Sequence, residues 1–63
     1  MIKIGIADSL PVVSYGLQSY FHRNSRMEVI ASAKNLESLL SLLEAKHCDI
    51  LILDLELDGL SSI

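Results

Sequence analysis

Between Asp49 and Leu55 the chain reads DILILDL, an apolar run interrupted by a single carboxylate. A strand with one face in water alternates polar and apolar residues, whereas a run this continuous belongs to a strand that helices cover on both faces, as in a parallel sheet. Parallel strands need long crossovers, so the segments before this run must supply them. They read accordingly. Ile2, Ile4 and Ile6 alternate with the small or extended Lys3, Gly5 and Ala7, which marks a first strand whose second face can also be covered. MEVIASA, residues 27 to 33, reads as a second strand, and Gly59 marks the turn after the third.

Two helices fit between these strands. Ser9 offers a helix cap and Pro11 a first-turn residue, after which Val12, Val13, Gly16, Leu17, Tyr20 and Phe21 share about half the circumference at 100° per residue. Ser14, Gln18, Ser19 and His22 fall opposite, and Tyr15 and His22 are expected in solvent. Asn35 is expected to cap the next helix, in which Leu36, Leu39, Leu40, Leu42 and Leu43 gather on one side. Glu37, Ser38, Ser41 and Glu44 take the other, with Lys46 and His47 near the negative end of the helix dipole. The expected fold class is therefore α/β, a β-α-β-α-β chain with parallel strands in the order 2-1-3, the first strand central and one helix on each face.

Composition narrows the function. A chain of 63 residues with 12 leucines and 51% hydrophobic residues has a strong drive to collapse and little interior to collapse into. Eight acids against five bases leave a net charge of -3, which removes the phosphate-neutralising term that dominates nucleic-acid affinity. Direct nucleic-acid binding is not expected. Cys48 is the single cysteine, so neither an internal disulfide nor a zinc spacing is available. His47 beside it has no spaced partners and is assigned no site. The opening MIKIGIADS lacks the pattern of a signal peptide and no apolar run approaches a membrane span, so a cytoplasmic location is expected, without a membrane.

The topology suggests where chemistry would sit. All carboxyl ends of a parallel sheet lie along one edge, so Asp8 after strand one and Asp54 at the end of strand three emerge side by side where the strand order reverses, the place where open α/β sheets bind ligands. Two adjacent carboxylates repel unless a hard cation such as Mg²⁺ lies between them. A turn residue and a strand-end carboxylate in water would look the same, and spacing alone leaves both readings open.

IADSLPVVSYGLQSYF is similar to the receiver pattern of an acidic pair followed by x, Pro, x, Val, x, x, Gly, Leu, and DILILDLELDG is similar to the receiver phosphoacceptor strand. Asp54 and Gly59 are spaced D-x-x-x-x-G, with the Asp8 turn 46 residues earlier. The chain thus resembles the first half of a response-regulator receiver domain of the LuxR/NarL type, a CheY-like, flavodoxin-like fold. The resemblance implies a single partial receiver domain over residues 1–63, an incomplete or truncated doubly wound sheet, that serves two-component signalling rather than acting as an enzyme. By the same resemblance Asp54 is the phosphoacceptor, and Asp8, Asp54 and the main-chain carbonyl of Glu56 are the Mg²⁺ contacts. A histidine kinase or another receiver domain is the implied partner, and a homodimer is possible through the apolar third strand.

Three departures from the receiver pattern bear on activity. Ser9 stands where the family has its second acid, which weakens Mg²⁺ binding. Asp58 replaces the proline common before the glycine. The sequence ends at Ile63, ahead of the strands that in the family carry the Ser/Thr and Lys contacts to the phosphoryl group. The expectation is a phosphoacceptor with impaired activity. A non-catalytic interaction protein that binds a receiver or kinase, and a truncated product without function, stay open beside it.

Overall fold

The computed structural model describes residues 1–60. Its elements follow in the order β1 (Ile2–Ala7), α1 (Pro11–His22), β2 (Met27–Ala33), α2 (Leu36–Ala45) and β3 (Ile50–Leu53). The three strands form one parallel sheet ordered β2-β1-β3, the α/β arrangement expected from the sequence. Among the described residues no helix is long and apolar enough to cross a membrane.

The central strand is the most enclosed. Ile4, Gly5, Ile6 and Ala7 are all buried, because β1 has a neighbour on each edge and a helix over each face. Alternation sends Ile4 and Ile6 to one face and Gly5 and Ala7 to the other. On the second face Ala7 and Ala33 pack with Leu39 and Leu42 of α2 and with Leu57 from the loop after β3. On the first, α1 lies beside β2, where Gln18, Ser19 and His22 border a groove whose other wall is Met27, Glu28 and Val29. One helix therefore covers each face, as right-handed crossovers that reverse direction require.

Gly5 has a packing reason to be glycine: a Cβ there would stand 3.3 Å from Cys48 Sγ and 3.4 Å from a Leu51 methyl. Cys48 is thus a small, half-buried filler with a free thiol. Asn35 caps α2 as expected, its Oδ1 accepting the Ser38 N–H at 2.8 Å.

Three sequence expectations are corrected. Ser9 does not cap α1: the N-cap is Leu10, without a side-chain bond, and the Leu10 N–H is instead held by Asp8 Oδ1 at 2.9 Å. The third strand spans Ile50–Leu53 rather than 49 to 55. Asp49 turns its carboxylate to the Lys3 N–H at 2.8 Å, and Asp54 turns its own to the Glu56 N–H at 2.9 Å. The N–H groups of both acids still donate to β1, Asp49 to the Lys3 carbonyl at 2.7 Å and Asp54 to the Ala7 carbonyl at 2.9 Å.

The inward face of α1 also differs. Ser14 is buried, and Leu17, Gln18 and Phe21 are half-buried, while Val12 and Tyr20 lie in solvent, 77% and 70% exposed. The helix leans toward β2 and seats its Ser14–Gln18 side there, with the Gln18 amide donating to Ser14 Oγ at 3.1 Å. Of its apolar flank, Val12, Val13 and Tyr20 are left exposed. The faces of β3 are covered only in part: Ile50 and Leu53 are 45% and 38% exposed, and Leu51 and Ile52 half-buried. Within α2 the same division appears, with Leu39 and Leu42 buried and Leu40 and Leu43 exposed.

Candidate functional site

Ala7 and Leu53 are register partners, so Asp8 and Asp54 are the next residues out on neighbouring strands. Strand spacing puts their main chains about 5 Å apart. The structure therefore places the main chains of the two acids that the sequence pointed to side by side, at the carboxyl edge and at the point where strand order reverses. Their main chains are fixed by different neighbours. The Asp8 N–H donates to the Ala33 carbonyl at 3.0 Å, tying it to β2, and the Asp54 N–H donates to the Ala7 carbonyl at 2.9 Å, tying it to β1.

Each side chain is then oriented by its own turn. Asp8 Oδ1 accepts from the N–H two residues on, that of Leu10, and Asp54 Oδ1 accepts from that of Glu56, both at 2.9 Å. These are Asx turns, in which a carboxylate takes the place of a main-chain carbonyl. Both acids are half-buried, and each uses one oxygen for its turn, while among the described residues the other accepts no hydrogen bond. Glu56 is exposed and sits in the same turn as Asp54.

Ser9 has a role that sequence reading missed. Its Oγ donates to the Lys34 carbonyl at 2.8 Å and accepts the Asp58 N–H at 2.9 Å. It bridges the β2–α2 turn to the loop after β3 across the carboxyl edge. The bridge is extended by the Leu36 N–H, which donates to the Asp58 carbonyl at 2.8 Å, and by a parallel pairing of Asn35 with Asp58. Just before Asp58, Leu57 drops into the core, 2% exposed. Gly59 follows at φ +90°, with the position of a Cβ only 3.2 Å from Leu36 Cβ. The loop after Asp54 is thus pinned by a plug, a bridge and a left-handed turn.

The charge at this edge is one-sided. Asp8, Asp54, Glu56 and Asp58 all lie along it, while Lys34 lines a small cleft with Asp8, Pro11, Ser14, Tyr15 and Ser32. An anion approaching Asp54 meets net repulsion unless a cation accompanies it. Among the described residues no group of three or more His, Cys, Asp and Glu side chains is gathered to hold a metal ion. What the edge offers is a pair of carboxylates, each with an uncommitted oxygen, and the main-chain oxygen of the turn. Hard oxygen donors in this number suit Mg²⁺, which keeps several waters and takes phosphate oxygens to complete its octahedron. Ser9 contributes no carboxylate to that set, and its hydroxyl is engaged both as donor and as acceptor.

Comparison with known protein families, with curated proteins and with solved structures returns no match for this chain.

Proposed function

We propose that this chain is a receiver-type module of phosphorelay signalling in which Asp54 is the phosphoacceptor. The observation that carries the reading is the pairing of Asp8 and Asp54 as consecutive strand ends at the switch point of a 2-1-3 sheet, each turned and held by a main-chain N–H. A carboxylate so held loses little freedom when it attacks. In the reaction, an Asp54 oxygen forms a bond to the phosphorus of a phosphohistidine on a kinase. The N–P bond breaks, and its electron pair stays on the imidazole, which takes up a proton. Asp8, Asp54 and the main-chain carbonyl of Glu56 would hold Mg²⁺, whose chemistry is to neutralise charge on the transferred oxygens. The proposed setting is cytoplasmic, with a histidine kinase or a second receiver as partner and no direct contact with nucleic acid.

With a serine at position 9 and a strongly acidic edge, transfer should be slow. Incubation with acetyl phosphate and Mg²⁺ followed by phosphate-affinity electrophoresis is expected to show slow, substoichiometric labelling that vanishes in Asp54→Ala. Labelling that survives Asp54→Ala refutes the assignment of the acceptor. An absence of labelling at any Mg²⁺ concentration refutes phosphotransfer and leaves the second reading, a non-catalytic module that binds a receiver or kinase. The engagement of Ser9 in a structural bridge favours that second reading, because it holds the edge together without metal or phosphate.

A further inference from the structure

The outer side of α1 carries a pattern that reads the same in both directions. At 100° per residue, the positions opposite the inward Ser14, Leu17, Gln18 and Phe21 are taken by Val12, Gly16, Ser19 and Arg23, spaced four, three and four. Val12 is 77% exposed, the other three are exposed as well, and a Cβ on Gly16 would meet nothing within 4 Å. Arg23 extends the line as the cap residue of the helix, still in α conformation. Because this line points away from the sheet, its exposure does not depend on what adjoins the sheet. Tyr15 and Tyr20 stand on its two flanks, each 70% exposed, Tyr15 beside the cleft that holds Asp8 and Lys34, Tyr20 beside that of Asn24 and Ser25.

Charge runs along this helix with a direction. From Ser9 to Met27 the chain has no acid, and the two full charges of that stretch, Arg23 and Arg26, lie at or just beyond the carboxyl end of α1. Arg26 sits at the amino edge of the sheet, where its carbonyl accepts the Ile2 N–H at 2.7 Å. The helix starts from the opposite edge, at Asp8, whose Oδ1 holds the Leu10 N–H, and Asp54, Glu56 and Asp58 lie along that same edge. Two copies of α1 laid antiparallel bring the basic end of each to the acidic end of the other, whereas a parallel pair sets like charge against like.

We infer that α1 packs antiparallel against α1 of a second copy, about a two-fold axis between Leu17 and Gln18. In that register Gly16 faces the partner's Ser19, and Val12 faces the stem of the partner's Arg23, whose guanidinium is carried toward the Asp8 turn. Small residues at the centre let the helix axes approach to the short end of the usual range of about 8–10 Å. Tyr15 comes nearly level with the partner's Ser19 and Tyr20 with the partner's Gly16, one on each flank, so each ring lies over a small residue. The palindromic spacing and the opposed charges are what select a second copy over an unrelated helix. With a whole aromatic side chain at about 150–250 Å², the exposed parts of Val12, Tyr15 and Tyr20 amount to roughly 400 Å² per copy. The pair therefore falls below the standard interface size, in the class of weak, reversible association. The inference is independent of whether Asp54 accepts phosphate.

The register makes the test specific. Helix rise and radius put the two Ser19 Cα atoms about 6 Å apart, inside the range that a disulfide spans, and the two Val12 Cα atoms about 17 Å apart, beyond it. With Cys48→Ala as background, mild oxidation of Ser19→Cys is expected to give a covalent dimer, and Val12→Cys, on the same exposed line, is not. By size exclusion with light scattering, the unmodified chain should move from its 6.9 kDa toward twice that value as concentration rises. Arg23→Glu, which sets like charges together, should weaken association about tenfold or more at low salt. Gly16→Gln, checked for fold by circular dichroism, should be monomeric throughout, because its side chain fills the point of closest approach. A monomer at every concentration overturns the inference even if the cysteine variants fail to fold. So does a dimer whose Ser19→Cys form does not cross-link, or cross-linking of Val12→Cys as fast as Ser19→Cys. An Arg23→Glu dimer as tight as the parent, or a dimer that survives Gly16→Gln in a folded chain, overturns it equally.

Discussion

Leu57 and Leu55 are two leucines in one acidic loop with opposite surroundings, and truncating each to alanine separates packing from composition. Leu57 is 2% exposed among Ala7, Ala33, Leu39 and Leu42, whereas Leu55 is 80% exposed. Removing a buried leucine costs the transfer of its lost atoms plus the void left behind, about 2 to 5 kcal/mol. The lower half of that range applies here, since the surrounding cluster is small and the half-buried Leu36, Leu51 and Leu60 at its border can close part of the void. A chain of this size has a total stability of about 3 to 9 kcal/mol. Leu57→Ala should therefore forfeit roughly a fifth or more of it, while Leu55→Ala stays within about 0.5 kcal/mol of the parent. Urea unfolding followed by far-ultraviolet circular dichroism gives both midpoints. All variants must be compared at one protein concentration, because self-association would make stability depend on it. If the two midpoints coincide, Leu57 is not the plug of this core, and the account of how the loop after Asp54 is held falls with it.

Two glycines are expected to respond with opposite sign. Gly59→Ala places a side chain at φ +90° and 3.2 Å from Leu36 Cβ, and should destabilise by about 1 to 3 kcal/mol. Gly16→Ala, in the middle of α1 with nothing within 4 Å of the new methyl, should stabilise by about 0.5 to 1 kcal/mol. Thermal unfolding of the pair checks both, and the reasoning fails if the signs agree. Asn35→Ala removes the acceptor of the Ser38 N–H and should cost about 1 kcal/mol by the same measurement. Recovery by Asn35→Ser, another good cap, would tie that loss to the cap, and no recovery would refute it.

The elements were legible because their periodicities are local. The alternation of Ile2, Ile4 and Ile6, the MEVIASA segment and the Asn35 cap each depend on residues within one turn or one strand, and the structure reproduces them. The adjacency of Asp8 and Asp54 was legible for a different reason: strand order alone brings these strand ends together. The facing of α1 was not. The sequence shows which flank is most apolar, but the helix leans on β2, so Ser14 and Gln18 are drawn inward while Val13 and Tyr20 are left out. Leu57 carries a weak signal, one apolar residue between Glu56 and Asp58 just before a glycine turn. Ser9 carries none, since its partners lie 25 and 49 residues away and are main-chain atoms that any residue would supply.

That engagement gives Ser9 a physical rationale apart from any ligand. A carboxylate at position 9 would stand beside Asp8 and close to Asp54 and Asp58, adding repulsion that only a bound cation could offset. It could also accept the Asp58 N–H but, ionised, could not donate to the Lys34 carbonyl. Serine does both with no charge, so the turn after β2 and the loop after β3 are joined by one neutral atom. The hydroxyl thus gives a carboxyl edge that holds its shape without a cation. The same bridge fixes Asp58 against Leu36, and with it the entry of Leu57 into the core. Position 9 therefore couples the edge that carries Asp54 to the stability of the fold: the serine that joins the turn after β2 to the loop after β3 also helps to keep Asp54 on an ordered turn.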